Sequence, residues 1–355
     1  MLSSKSLFVL LLYGVVLLAS LVLLLLAGGY PAGAALSALW YGSVGSWYAF
    51  TSATLVRAIP LMLTGCAVAI AFRAGLFNIG AEGQLIAGAT ASTAIALAMP
   101  HGGPATTIVA LMAGAATGAL WAGIAAILRA RFGVLEVIST IMLNFVALHA
   151  VSYLVRGPLQ EPTHVYPQSS SLADGLHLAR LPGSGRLHLG LLIALALLGG
   201  SGWAFRHTAA GFRMLAVGIS SSAAECAGQV NIARTTRNAF IASGAVAGLA
   251  GAVEVLGVTF ALYENLSPGY GYTAIAVALL AGLDPWRIVL SATLFGALEA
   301  GAGAMQRDAG VPSTLVSVIE ALIILAIVAA QALHWNVRTF VRQRTSVTAP
   351  ERLPS

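Results

Sequence analysis

The chain has 355 residues, 58% of them hydrophobic and only 8% charged, with a mean hydropathy of +0.89. A soluble domain carries about a quarter of its residues as charges, so a soluble enzyme is excluded. The net charge of +6 comes from arginines set between apolar runs, where basic residues act as orientation signals and not as a nucleic-acid surface.

The apolar runs are taken in chain order. Leu7 to Ala27 follows Lys5 and exceeds the roughly 7 to 15 residues of a signal-peptide core, so it reads as an uncleaved first span. Further spans are expected over Ala49 to Ala71, Gly80 to Met99, Ala105 to Leu128, Leu135 to Val155 and His188 to Phe205. The second half adds Asn238 to Phe260, Leu266 to Leu283, Trp286 to Met305 and Pro312 to Leu333. Pro268, Gly269 and Gly271 break the start of the eighth run and leave a short unbroken helix, with a full and a half helix both open. The expectation is an all-α polytopic membrane protein of about ten transmembrane helices, one domain over residues 1–340, with a disordered tail over 341–355. The 39 glycines suit closely packed membrane helices, and the GxxxG spacings at Gly114 to Gly118 and Gly244 to Gly248 are packing signals.

Placing both termini in the cytoplasm puts thirteen of the 18 basic residues inside, four outside (Arg156, Arg180, Arg186 and Arg307) and one, Arg57, within a span. That bias supports a multi-pass protein of the inner (plasma) membrane with residues 156–187 as an irregular extracytoplasmic loop and 206–237 as a cytoplasmic one. Cys66 in an apolar run and Cys226 in the cytoplasmic loop have neither metal-site spacing nor an oxidising setting, so neither a metal site nor a disulfide is expected. A nucleotide-binding loop needs a lysine, and Lys5 is the only one; HExxH and GxSxG patterns are absent too. The chain is therefore not expected to be an enzyme, and uphill transport would need a partner or an ion gradient.

Polar residues inside this apolar frame are the candidates for function. Residues 73–84 read RAGLFNIGAEGQ, in which Asn78 is expected to cap the third helix and Glu82 to occupy its first turn. Gln84 and the cluster of three glycines are left unexplained by capping. Arg57, Glu254, Glu299 and Glu320 fall at a similar depth of ~10 Å from the outer ends of their spans, so Arg57 is expected to neutralise at least one of the three carboxylates. Asn144 and His149 on the fifth span are candidates to join them in a substrate pathway; interhelical hydrogen bonding is the competing explanation. In the cytoplasmic loop, Ser222 and Glu225 form a capping-box pattern that opens a short helix to about Val230, with Ala223, Cys226, Ala227 and Val230 on one face.

FNIGAEGQ, with its RAGL lead-in, resembles the signature of the permeases of nucleoside-type ABC importers. The resemblance continues in EVISTIMLN (136–144), GFRMLAVGISSSAAECAGQV (211–230) and GYTAIAVALLAGLDP (271–285). It implies a fold similar to the ribose and vitamin B12 permeases, with this chain as the longer of two different permeases in a heterodimer. It also implies a cytoplasmic ABC ATPase that carries the ATP and Mg, with no cofactor in this chain, and an extracytoplasmic solute-binding protein. On this resemblance the Ser222 to Val230 helix, with Gly211 and Arg213, is the coupling element seated on the ATPase; a headgroup-level surface helix is the alternative. Simple-sugar and riboflavin permeases share looser forms of these motifs, so those substrates stay open. A stand-alone proton-coupled transporter using Glu254, Glu299 and Glu320 is the rival mechanism.

Overall fold

The computed structural model describes residues 22–226 and 230–312, together with residues 315, 317, 318, 321 and 322. The chain divides into two compact units, Met1–Leu39 with Ala302–Ser355, and Trp40–Gly301. Most of the first and last expected spans, Glu320 and the 341–355 tail lie outside the described residues. In the first unit, Leu25, Ala35, Ala38, Met305 and Val311 form a buried apolar cluster. Ala35 and Ala38 belong to helix α1 (Ala32–Ser43), which falls between the first two expected spans and was not itself expected.

The second unit is helical, and no strand occurs among the described residues. Its helices are α2 (Trp47–Arg73), α3 (Ala81–Ala98), α4 (Gly103–Phe132), α5 (Glu136–Val155), α6 (Gly190–His207), α7 (Ala209–Ile219), α8 (Ser221–Cys226), α9 (Ile232–Thr259) and α10 (Tyr270–Leu280). Helix α11 (Pro285–Ala309) begins in this unit. Among the described residues five of these, α2, α4, α5, α9 and α11, are long and apolar enough to cross a membrane. The protein is thus an all-α polytopic membrane protein, with boundaries within a few residues of the expected ones except at α9, whose helix starts six residues earlier than Asn238.

Helices α3, α4 and α9 meet at a glycine node. A Cβ on Gly248 would stand 2.3 Å from the Gly114 carbonyl oxygen, one on Gly118 2.3 Å from that of Gly244, and one on Gly88 2.1 Å from that of Gly248. Only glycine permits such backbone approach, and in lipid that dispersion contact replaces the hydrophobic drive available in water. The two GxxxG segments therefore pack against each other.

Two spans carry π-helical turns, Phe50–Leu55 within α2 and Val255–Thr259 at the end of α9. After the second, the chain turns at Phe260, whose φ is +55°, and runs non-helically to Gly269. Helix α10 then has only 11 residues, about 16 Å, half of a ~30 Å hydrocarbon core. Of the full and half helix left open by Pro268, Gly269 and Gly271, the structure has the half-helix. Carbonyls freed by the break need partners, and the 156–187 loop supplies them. The N–H groups of Leu178, Leu172 and Ser169 donate to the carbonyls of Leu256 (2.8 Å), Phe260 (2.8 Å) and Leu262 (2.7 Å).

Candidate translocation and coupling sites

The RAGLFNIGAEGQ segment forms a buried polar junction. Asn78 does not cap α3; its Oδ1 accepts from Gly80 N–H, and α3 starts after Gly80 without a side-chain cap. Asn78 instead pairs with Gln84 through both amides, at 2.9 and 3.0 Å, and donates to Ser243 Oγ on α9, which donates on to the Ala67 carbonyl of α2. That pairing accounts for Gln84. Glu82, in the first turn as expected, accepts from Gly271 N–H at 2.7 Å, at the start of the half-helix. A Cβ on Gly271 would sit 2.2 Å from Glu82 N, so glycine is required for the contact.

Asn144 belongs to this junction and not to the Arg57 cluster. Its Oδ1 accepts from Gly83 N–H, while Nδ2 donates to the Ile79 carbonyl and the Tyr272 hydroxyl. The first turn of α3 meets the middle of α5, which brings Gly83 N–H to Asn144. Ser243 and Tyr272 were missed; both stand one residue from glycines that were noticed, Gly244 and Gly271.

The outer cluster is partly assembled. Arg57 and Glu299 both act through space on buried Glu254. Among the described residues no ion pair joins Arg57 to Glu254 or Glu299, Glu320 lies outside the described residues, and the Arg57 guanidinium donates to the Ala53 carbonyl at 3.3 Å. Ala53 lies in the π-helical turn, so Arg57 reaches back along its own helix.

His149 is exposed and sits apart, near the rim formed by Ser152, Arg156 and Glu264. Arg156 Nε and Nη2 bind the Glu264 carboxylate at 2.7 and 2.9 Å, and Ser152 Oγ donates to the same group. These hydrogen bonds, from Arg156 first and Ser152 second, hold the Glu264 carboxyl down to about 2. The pair ties the end of α5 to the non-helical segment before α10. Sequence reading had assigned Arg156 only to topology and had passed over Glu264.

The 206–237 loop carries two described helices where one was expected. Ser220, and not Ser222, caps α8, accepting from Ala223 N–H at 3.2 Å; Ser222 bonds Ser220 instead. Ala224 is the buried residue of α8, with Ala223, Glu225 and Cys226 exposed, so the expected apolar face is rotated. Residues 227–229 lie outside the described residues. Val230 and Glu225 line a cavity of about 540 Å³ bounded by the Arg129–Glu136 ion pair (2.8 Å) at the α4–α5 turn. Helix α7 was missed, although Thr208, its cap, followed by Phe212, Leu215 and Ile219 is a helical pattern. Two glycines seat α7: a Cβ on Gly211 would be 2.3 Å from the Ala204 carbonyl of α6, and one on Gly218 2.1 Å from the Arg73 carbonyl of α2. Arg213 between them is exposed.

Arg73 makes this a knot. Its Nε donates to the Leu283 carbonyl at 2.9 Å and its guanidinium lies 4.5 Å over the Phe205 ring. Next to it Arg206 binds Asp284 at 3.1 Å. Burial would raise the Asp284 carboxyl, but the N–H groups of Arg287 and Trp286 and the Arg206 guanidinium outweigh it and hold it below its ordinary value. Movement of α7 therefore bears directly on α2, α6 and the α10–α11 turn.

Residues 50–328 match the family described as branched-chain amino acid transport system, permease component. The chain is 39% identical to the guanosine ABC transporter permease protein NupP of Bacillus subtilis, over 90% of this chain and 92% of that protein. It is 39% identical to the glucose ABC transporter permease protein TsgB13 of Haloferax volcanii, over 78% and 75% of the two chains. A second Bacillus subtilis guanosine permease, NupQ, is 27% identical over 69% of this chain and 78% of its own length.

Proposed function

Because the chain belongs to the family of branched-chain amino acid transport system permease components, we propose that it is the permease subunit of an ATP-driven ABC importer that moves nucleosides by alternating access. The observation that carries the nucleoside reading is the likeness to the guanosine permease NupP, which runs nearly end to end through both chains. The similarity to a glucose permease, equal in identity but shorter in coverage, makes a hexose the second reading.

In this reading the chain pairs with a second, different permease, as the likeness to both NupP and NupQ suggests. It sits in the inner membrane with both termini in the cytoplasm, in keeping with its basic-residue bias. An extracytoplasmic binding protein delivers solute, and a cytoplasmic ATPase holding ATP and Mg pushes on α7, α8 and the segment to Val230. The glycine-seated α7 passes that push to Arg73 and the Arg206–Asp284 pair. The half-helix α10, held by Glu82 at Gly271 and by Asn144 at Tyr272, is the element that such a push would tilt.

The test is guanosine uptake into proteoliposomes holding both permeases, the ATPase and the binding protein. Uptake is expected to need ATP and all the components. Accumulation by this chain alone, abolished by a protonophore, would show an ion-driven transporter instead.

A further inference from the structure

A cavity of about 390 Å³ opens between the outer half of α5 and the non-helical segment before α10. Its size falls within the roughly 300 to 1,000 Å³ of small-ligand sites. Ile86 and Leu266 give it an apolar floor, while Phe145, His149, Tyr263 and Asn265 bring two aromatic faces and three hydrogen-bonding groups to it. Among the described residues, the His149 ring, the Tyr263 hydroxyl and the Asn265 amide make no hydrogen bond within the protein. His149 is exposed at six residues, about 9 Å, from the Val155 end of α5. Ionisable groups at membrane depth face water or a ligand and not lipid.

We infer that this cavity is an acceptor subsite for the base of a nucleoside, a step that rests on the nucleoside reading above. An aromatic face stacks on a planar base, and the Asn265 amide offers both a donor and an acceptor to a base edge. The carboxylate at the rim, Glu264, is engaged by Arg156 and Ser152, so the aromatic faces and the amide are the groups the cavity offers to a planar base. Asn265 sits at φ +57°, a left-handed conformation that asparagine accepts more readily than most residues, so the backbone there favours asparagine or glycine.

The assembled transporter in membranes is photolabelled with 8-azidoguanosine, and the labelled peptides are mapped by mass spectrometry. The same preparation is assayed for guanosine and glucose uptake. Label is expected within residues 145–152 or 263–266, competed by guanosine and not by glucose, and at least tenfold weaker in Asn265→Gly, which keeps the left-handed backbone. Phe145→Leu, at normal membrane abundance, should weaken it similarly. A preparation that takes up guanosine but is labelled elsewhere, or not at all, overturns the subsite alone. Glucose uptake without guanosine uptake overturns the nucleoside reading itself and the ligand class assigned to the cavity.

Discussion

Asn78 and Gln84 hold each other by both ends of their amides, at 2.9 and 3.0 Å, across the break between α2 and α3. Six residues apart, they turn an interrupted segment into a closed polar clasp that also reaches Ser243 on α9.

Breaking that clasp should destabilise the fold. Asn78→Leu leaves the Gln84 amide and Ser243 short of partners in a buried setting, at a cost of about 1 to 3 kcal/mol. The expected result is a lower melting temperature of detergent-solubilised protein, followed by fluorescence-detected gel filtration. The double change Asn78→Leu with Gln84→Leu should cost less than the sum of the two singles. Strict additivity would show that the pairing does not contribute.

The glycine node yields a comparison between two alanine changes. Gly248→Ala places a methyl group against the Gly114 carbonyl and should lose about 1 to 3 kcal/mol or fail to accumulate. Gly123→Ala, on α4 where nothing lies within 4 Å, should be silent. Membrane abundance of the two variants is the readout, and equal abundance would contradict the packing described.

For Arg57, the geometry predicts electrostatic coupling without a direct bond. Arg57→Leu should reduce uptake more than abundance, and combining it with Glu254→Gln should recover part of the loss. The non-additivity should exceed about 0.5 kcal/mol, the usual scatter between independent sites. Uptake and abundance measured for both singles and the double decide it, and additive effects would mean that the two charges act separately.

The Arg156–Glu264 pair has a defined pH window. Its Glu264 carboxyl is depressed from the ordinary 4.5 to about 2, so the restraint is complete above the ordinary value and is lost as pH falls through about 2. Protease sensitivity of the 156–187 loop should therefore stay flat between pH 7.5 and 5. Glu264→Gln should raise it across that whole range. A rise in the native protein already at pH 5 would place the carboxyl in a weaker environment.

Gly218→Val should disturb coupling. The added side chain meets the Arg73 carbonyl and lifts α7 from α2. Solute-stimulated ATP hydrolysis by the assembled complex should fall severalfold at normal abundance. Full stimulation would remove α7 from the proposed coupling path.

The spans were legible because long apolar runs have few other homes, and the break before α10 was legible because proline and two glycines interrupt a run visibly, although its half length was not. The polar contacts were less so. Asn78 has the residue type and position of a cap, but a cap competes with any better partner, and Gln84 provides two bonds where a helix start provides one. A candidate place for Asn144 beside Arg57 was likewise not what the structure shows, since residue type and span do not fix which way a side chain faces. The π-helical turns leave no mark in composition, and Arg57 donates to the Ala53 carbonyl inside one of them.

The loop over residues 156–187 binds the carbonyls of Leu256, Phe260 and Leu262, all of which follow it in the chain. During synthesis the ribosome thus delivers the receiving strip of N–H groups before the segment that depends on them. Carbonyls that follow the loop in the chain then find their donors already in place. Moving this loop to a later point, as in a circular permutation, would reverse that order and leave the Leu256, Phe260 and Leu262 carbonyls waiting for their donors, even though every contact of the final structure remained available.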